Sequence, residues 1–226
     1  GNLTIAKDYA GNAYLPEWSY NGIGDMVPGQ GYQLKTIDAD VLTMLSNDES
    51  YRTSSLEVSN KAVSHFDAVA ATDNNMTVVI EDAAWDVLPT EGAEIAAFDK
   101  AGNLIGSAVY TSPLTVMAVW GDDVTTVAKD GLALAENVTF KVWSNNLTAS
   151  FEVANWVEGS ASYDANAINV ANAIVTNVLA DVIATERVLV KVINVLGQEV
   201  ISNEESFKGE VLFNVYNDGT VEKVVK

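Results

Sequence analysis

Short runs in which apolar and polar residues alternate recur along this chain. Met76-Thr77-Val78-Val79-Ile80, Val138-Thr139-Phe140-Lys141-Val142-Trp143, Val188-Leu189-Val190-Lys191-Val192-Ile193 and Val211-Leu212-Phe213-Asn214-Val215-Tyr216 are the clearest. Each is four to six residues long, β-branched or aromatic, and bounded by Gly, Asn or Asp, which predicts β-strands. Asp99-Lys100-Ala101-Gly102-Asn103 separates Ile95–Phe98 from Leu104–Tyr110 and predicts a hairpin in which Gly102 supplies a positive φ. Asn217-Asp218-Gly219-Thr220 predicts a second tight turn ahead of Val221–Val225. Helical periodicity is scarce. Ile37 to Leu45 is expected to form a short turn or helix, and Asp82-Ala83-Ala84-Trp85 a single turn.

These elements predict an all-β protein. A β-sandwich, Ig-like or jelly-roll-like, is expected over residues 75–178. Residues 1–58, with Gly-rich loops and aromatics, read as the C-terminal part of a Gly-rich β module. Residues 59–74 are polar, alanine-rich and poor in strand signal, and read as a connector. Residues 180–226 read as a short β domain.

Composition narrows the classes. The 226 residues are 48% hydrophobic, enough for a core rather than a disordered tail. Thirty-one acidic residues face twelve basic ones, a formal charge of -19. Such a surface repels phosphate, so nucleic acid is not an expected partner. Cysteine is absent, which excludes disulfides and Cys-based zinc sites; the single histidine, His65, excludes multi-His metal sites and, lying in the expected connector, gives no basis for arguing a Ser/His/Asp triad. His65 is expected to be an exposed or partly packed bystander. No stretch approaches the ~18 apolar residues of a membrane-spanning helix. The abrupt start at Gly1, without a signal peptide, suggests a processed or partial chain.

Candidate chemistry is sparse. The glycines of Gly22-Ile23-Gly24-Asp25-Met26-Val27-Pro28-Gly29-Gln30-Gly31-Tyr32 lack the Lys-Ser/Thr or strand-to-helix context of a phosphate loop, so turns ahead of a strand are expected there. Carboxylate pairs such as Asp38/Asp40, Glu81/Asp82 and Asp122/Asp123 arise readily among so many acids, and none is selected as a glycosidase pair. Asp122 and Asp123, after Gly121, are weak candidates for a calcium site, because calcium takes carboxylate and carbonyl oxygens; a solvated turn is the plainer reading. Trp18, Tyr20, Tyr32, Trp85, Trp120, Trp143 and Trp156 are either core pieces or sugar-stacking platforms. Trp143, in an alternating strand, is expected in the core. Trp85 and Trp120, near turns, are the better candidates for exposure to a glycan.

The C-terminal residues carry the most specific pattern. Leu189-Val190-Lys191-Val192-Ile193-Asn194-Val195-Leu196-Gly197-Gln198-Glu199-Val200 resembles the sorting domains of the type IX secretion route of Bacteroidota, in which a strand leads into Leu-Gly-Gln/Arg-Glu. The close, Phe213 to Lys223 with Asp218, Gly219, Thr220, Glu222 and Lys223, is similar to the Tyr-Asp-Asp-Gly-Thr-Val-Glu-Lys ending of such tails, with Asn217 in place of one Asp. The resemblance covers about 40 residues. It implies a small β-sandwich recognised by an outer-membrane translocon, then removed or linked to surface lipid. Residues 13–32, and the stretch from Met76 to Ile174, are similar to consecutive modules of large secreted proteins of the same bacteria.

The expected function is that of a non-enzymatic, secreted or cell-surface protein, structural or adhesive, with a subunit of an extracellular filament or matrix as one form of that role. Its expected partners are further copies of itself, other surface proteins or polysaccharide, with the translocon engaged through the tail. No cofactor is expected apart from the calcium candidate. A carbohydrate-binding module of a larger secreted enzyme is the alternative, and a hydrolase a third reading without a selectable acid pair.

Overall fold

The structure, a computed structural model, describes residues 1–43, 56–57, 62–177, 189–200, 211–216 and 221–225. It is all-β, and divides into two compact units, Gly1–Val178 and Leu179–Lys226.

The first unit holds two sheets. Strands β1 (Leu3–Asp8), β2 (Ala13–Leu15), β3 (Tyr20–Asn21), β4 (Tyr32–Thr36) and β5 (Leu56–Glu57) form a sheet in the order β4-β1-β2-β3-β5. Strands β6 (Asn75–Glu81), β7 (Glu94–Phe98), β8 (Leu104–Val109), β9 (Leu114–Trp120), β10 (Thr139–Ser144), β11 (Leu147–Glu158) and β12 (Ile168–Asn177) form the second, in the order β8-β7-β10-β11-β12-β6-β9. It is antiparallel except where β12 runs parallel to β6. The two ends of this order come together: a Cβ on Gly106 of β8 would lie 2.6 Å from the Ala118 carbonyl oxygen of β9. The sheet therefore nearly closes on itself and its inner face becomes the core.

That core is built by Met76, Val78 and Ile80 of β6, Ile95 and Ala97 of β7, Met117 and Val119 of β9, Phe140 and Val142 of β10, and Phe151, with Trp85 and Tyr163 filling its ends. Period-2 alternation explains half of β6. Its other face is buried too, because Val79 packs with Ile5, Ala13, Leu15 and Tyr20 of the first sheet and with Leu114, Ile168 and Val170. Every residue from Asn75 to Ile80 is buried. A strand covered on both faces reads as an unbroken apolar run, which is why Val78-Val79-Ile80 does not alternate.

Residues 1–58, read from the sequence as a module of their own, thus share one compact unit with residues 75–178 wherever they are described. Across this joint the Trp18 Nε1–H donates to Glu81 Oε1 of β6 (2.8 Å), and a second polar contact comes from Lys7. Its ammonium is buried at 4% exposure and donates to the Asn75 carbonyl oxygen (3.0 Å), Asn75 Oδ1 (3.0 Å) and Asn166 Oδ1 (2.9 Å). Three donors meet three acceptors, so the buried charge is solvated by amide dipoles rather than by a carboxylate. Burial, with the repulsion of Lys35, pulls the Lys7 pKa down to about 8.

The expected connector is fastened as well. Glu94, 2% exposed, accepts the backbone N–H groups of Ser64, His65 and Phe66 at 2.6 to 3.0 Å and the Ser64 hydroxyl at 2.8 Å. A buried carboxylate needs such donors, and a chain segment with few strand residues has free amides to supply them. The short turn or helix expected from Ile37 to Leu45 is not helical as far as Thr43; positions 44–45 lie outside the described residues. The single turn at Asp82–Ala84 is present as a 3-10 turn.

The second unit contains β13 (Leu189–Asn194), β14 (Val211–Tyr216) and β15 (Val221–Val225), an antiparallel sheet in that order. The tight turn expected at Asn217–Thr220 lies outside the described residues. Among those described in this unit, Leu212 alone is fully buried.

Replacing Lys7 by Met removes the charge but takes the lysine donor from Asn75 Oδ1 and Asn166 Oδ1, while the Asn75 carbonyl oxygen keeps the Asn166 N–H (3.0 Å). The variant should unfold at lower urea concentration, by roughly 2–4 kcal/mol. An unchanged midpoint would show that the joint between the two sheets does not depend on Lys7.

Candidate functional site

One local structure occurs three times, and the third copy holds the tail residues of interest. In the β1–β2 hairpin, Asp8 Oδ1 accepts the N–H groups of Ala10 (3.0 Å) and Asn12 (2.9 Å), and Oδ2 accepts Asn12 Nδ2 (2.8 Å). In the β7–β8 hairpin, Asp99 Oδ1 accepts Ala101 N–H (2.9 Å) and Asn103 N–H (2.8 Å), and Oδ2 accepts Asn103 Nδ2 (2.9 Å). In the tail, Asn194 Oδ1 accepts Leu196 N–H (3.0 Å) and Gln198 N–H (3.0 Å), while its Nδ2 donates to Gln198 Oε1 (3.2 Å).

The backbones agree as closely. Gly11, Gly102 and Gly197 have φ of 83, 87 and 80°, and each donates its N–H to the carbonyl of the residue three before it, at 3.2, 3.1 and 3.0 Å. The flanking pairs Lys7–Ala13, Phe98–Leu104 and Ile193–Glu199 are each opposite partners. This is a three-residue hairpin loop closed by an Asx side chain, with glycine at the position that needs positive φ. At Gly11 a second reason for glycine adds to φ, since a Cβ would lie 2.6 Å from the Ala118 Cβ.

The sequence analysis identified the 99–103 hairpin but not its recurrence. The signal was available as Asp/Asn-x-x-Gly-Asn/Gln, in Asp8-Tyr9-Ala10-Gly11-Asn12, Asp99-Lys100-Ala101-Gly102-Asn103 and Asn194-Val195-Leu196-Gly197-Gln198. Of the sorting-like residues, Gly197 and Gln198 are thus occupied in building the turn. Leu196 at 78% exposure stands at its tip beside Val195 at 68%. Glu199 follows, also exposed. Glu222 and Lys223 lie on β15, opposite Asn214 and Phe213. Asp218, Gly219 and Thr220 lie outside the described residues.

The tryptophans require a correction. Trp85 and Trp120, expected to be the exposed ones, are buried at 8% and 5%. Trp85 packs against Phe151 with ring centroids 5.0 Å apart, and Trp120 closes over Gly11. Proximity to a turn in sequence did not mean exposure, because the first hairpin and the 3-10 turn fold over those rings. Neither offers a face to a sugar. Trp143, expected in the core, is half-buried, and its outer face is stacked by His65 at 4.6 Å and 7°. His65 is itself exposed and held by the Glu94 contact to its backbone.

Asp122 and Asp123 sit in a loop closed by its own carboxylates. Asp130 Oδ1 accepts Asp123 N–H and Asp122 Oδ1 accepts Asp130 N–H, both at 2.9 Å, while Asp123 Oδ1 takes the Thr125 amide and hydroxyl. The Asp123 amide is the main reason that the Asp130 carboxyl is held below its ordinary range. Among the described residues no group of three or more His, Cys, Asp or Glu is placed to hold a metal ion.

A cavity of about 280 Å³ opens between the first hairpin and strands β8 and β9, lined by Gly11, Tyr20, Val63, Ala108, Met117 and Trp120 among others. Tyr20 is the ionisable residue of its described lining, and burial pushes it up to about 12, so it stays protonated at neutral pH. Its lining is mixed, with Asn12, Tyr20, Ser107 and Thr111 beside Val63, Met117 and Trp120.

No family model, curated protein or solved structure matches this chain.

The Asp99 turn is the acid-sensitive one. Burial opposes its charge, but the Asn103 side chain and amide, Lys129 and Ala101 outweigh burial and hold the carboxyl at about 2. A folded-state pKa below the unfolded one contributes stability that is present above pH 4 and is lost as pH falls towards 2. The loss at Asp99 should be roughly 2 kcal/mol, read as a falling melting temperature across that window. In Asp99→Asn, which resembles the tail's neutral Asn194, this part of the acid limb should flatten; an identical limb would assign it to other carboxylates.

Proposed function

We propose that this chain is a non-enzymatic extracellular protein of a bacterial cell surface, structural or adhesive in role, exported through its C-terminal unit. The observation that carries the reading is that the sorting-like residues form a compact unit of their own, with the signature at an exposed hairpin turn. A segment read by an export machinery must be accessible, and the exposure of Leu196 and Glu199 at this turn supports that reading. Both units are acidic: the last 48 residues carry eight acidic and five basic residues, and Gly1–Val178 carries the other 23 acidic and seven basic ones. An acidic surface over a cysteine-free β core suits a salty extracellular medium, where solubility comes from charge and stability from packing.

Self-association would proceed by strand addition. Strand β4 ends its sheet with an exposed edge that carries Leu34 at 41% exposure, and β15 ends the tail sheet with Val221 and Val225 exposed. Such edges carry backbone groups ready to pair with a neighbouring chain. Polysaccharide is less well supported as a partner, since the rings that would stack on it, Trp85 and Trp120, are buried.

Two measurements test the reading. Mass spectrometry of protein recovered from the medium of a host with the type IX route should find Gly1–Val178 outside the cell, with the tail removed or modified. Size-exclusion chromatography with light scattering should find oligomers that grow with concentration. A strict monomer at high concentration, with and without calcium, would remove the structural role, and retention of the whole chain in the cell would remove the export route.

A further inference from the structure

We infer that the tail is read through the apolar pair Val195–Leu196, displayed at the tip of a hairpin turn whose other signature residues only build its shape. The inference rests on the export reading above and goes further, by separating the residues that position from the residues that are recognised.

The chain supplies its own control. Three turns share the same side-chain bonds, the same positive-φ glycine and the same flanking pairs. Their shape is therefore not distinctive of the tail. What differs is the tip. Its first position holds Tyr9, Lys100 and Val195, which shows that the turn tolerates any side chain there. Its second position holds Ala10 and Ala101 in the first unit, and Leu196 in the tail. The turn makes no demand that Leu satisfies and Ala does not, because the bond at this position comes from the backbone N–H. Leu196 and Val195 are among the most exposed large apolar residues described, at 78% and 68%. An isolated exposed leucine needs no explanation. Exposed apolar neighbours occur elsewhere, at Val41–Leu42 and Val87–Leu88. What sets Val195–Leu196 apart is that they occupy the tip of a turn bonded like two others that carry Ala at its second position, an arrangement of the kind that fills a pocket on a partner.

The chemistry of the partner follows from the neighbours. Glu199, exposed and opposite Ile193, puts an acidic residue at the base of the same turn. The fitting surface is a protein pocket that is apolar at its base and carries a Lys or Arg at its rim. Asn194, Gly197 and Gln198 are positioning residues: their side-chain and turn bonds hold the backbone that presents the pair, and Asn194 also ties the turn to the sheet opposite Leu212.

The test exchanges tips while keeping the turn. The double variant Val195→Lys/Leu196→Ala gives the tail the tip of the 99–103 turn. In the full-length chain, expressed in a bacterium with the type IX route, it should melt within about 2 °C of the parent, and its extracellular fraction should fall at least tenfold. Leu196→Met, which keeps an apolar tip, should be exported like the parent. Exchanging Asn194→Asp with Gln198→Asn, which rebuilds the turn in the first unit's residues, should also leave export intact. Normal export of the double variant would overturn the inference, as would loss of export in the turn-rebuilding variant at unchanged melting temperature. Should the double variant fold poorly, Leu196→Ser decides in its place by the same readings. If the parent chain itself stays in the cell, the export reading falls and takes this inference with it; if the parent and the double variant are both exported, only this inference falls.

Discussion

The two-sided burial of β6 is the constraint on which the first unit depends. Its inner face supplies Met76, Val78 and Ile80 to the core, and Val79 lies on the opposite face against the first sheet. Each such side chain contributes roughly 1.5–3 kcal/mol only if its face is kept dry. The seven-stranded sheet can dry its inner face by nearly closing, but cannot cover its own outside. The first sheet is therefore a required lid over β6, β9 and β12. Lys7 fixes that lid in register by reaching the amide oxygens at the start of β6. With no cysteine in the chain, no disulfide assists this packing.

Polar groups inside the unit follow one rule. Glu94 is buried against three successive backbone amides, Asp99 against its own turn and Lys129, and Lys7 against amide carbonyls. Each pins a segment of low strand propensity to a strand of high propensity. Buried charges of this sort specify position more than they stabilise, because desolvation offsets much of the attraction. The Asp-rich loop at 122–130 obeys the same rule at the surface, spending its carboxylates on its own amides.

The repeated Asx-Gly turn changes how the tail pattern is understood. A string such as Leu-Gly-Gln in one place suggests a code. The same geometry at Asp8 and Asp99 shows that part of the string is the solution to a hairpin problem, which any protein with three-residue loops meets. What the turn leaves unspecified is the tip and its flank.

Local chemistry made much of this legible in advance. Period-2 runs placed β6, β10, β13 and β14, and Gly102 within Asp-x-x-Gly-Asn placed the β7–β8 hairpin, because strand and turn preferences act over a few residues. The all-β class followed from the same runs. The fate of Trp85, Trp120 and Trp143 was not legible, since each depends on what arrives from far along the chain: Gly11 over Trp120, Phe151 against Trp85, His65 against Trp143. Nor could the sequence show that residues 1–58 and 75–178 share a core, or that Lys7 finds Asn166 across 159 positions. Alternation tells which face of a strand is apolar; only the assembled sheets decide what covers it, because burial is a property of the neighbours and not of the residue.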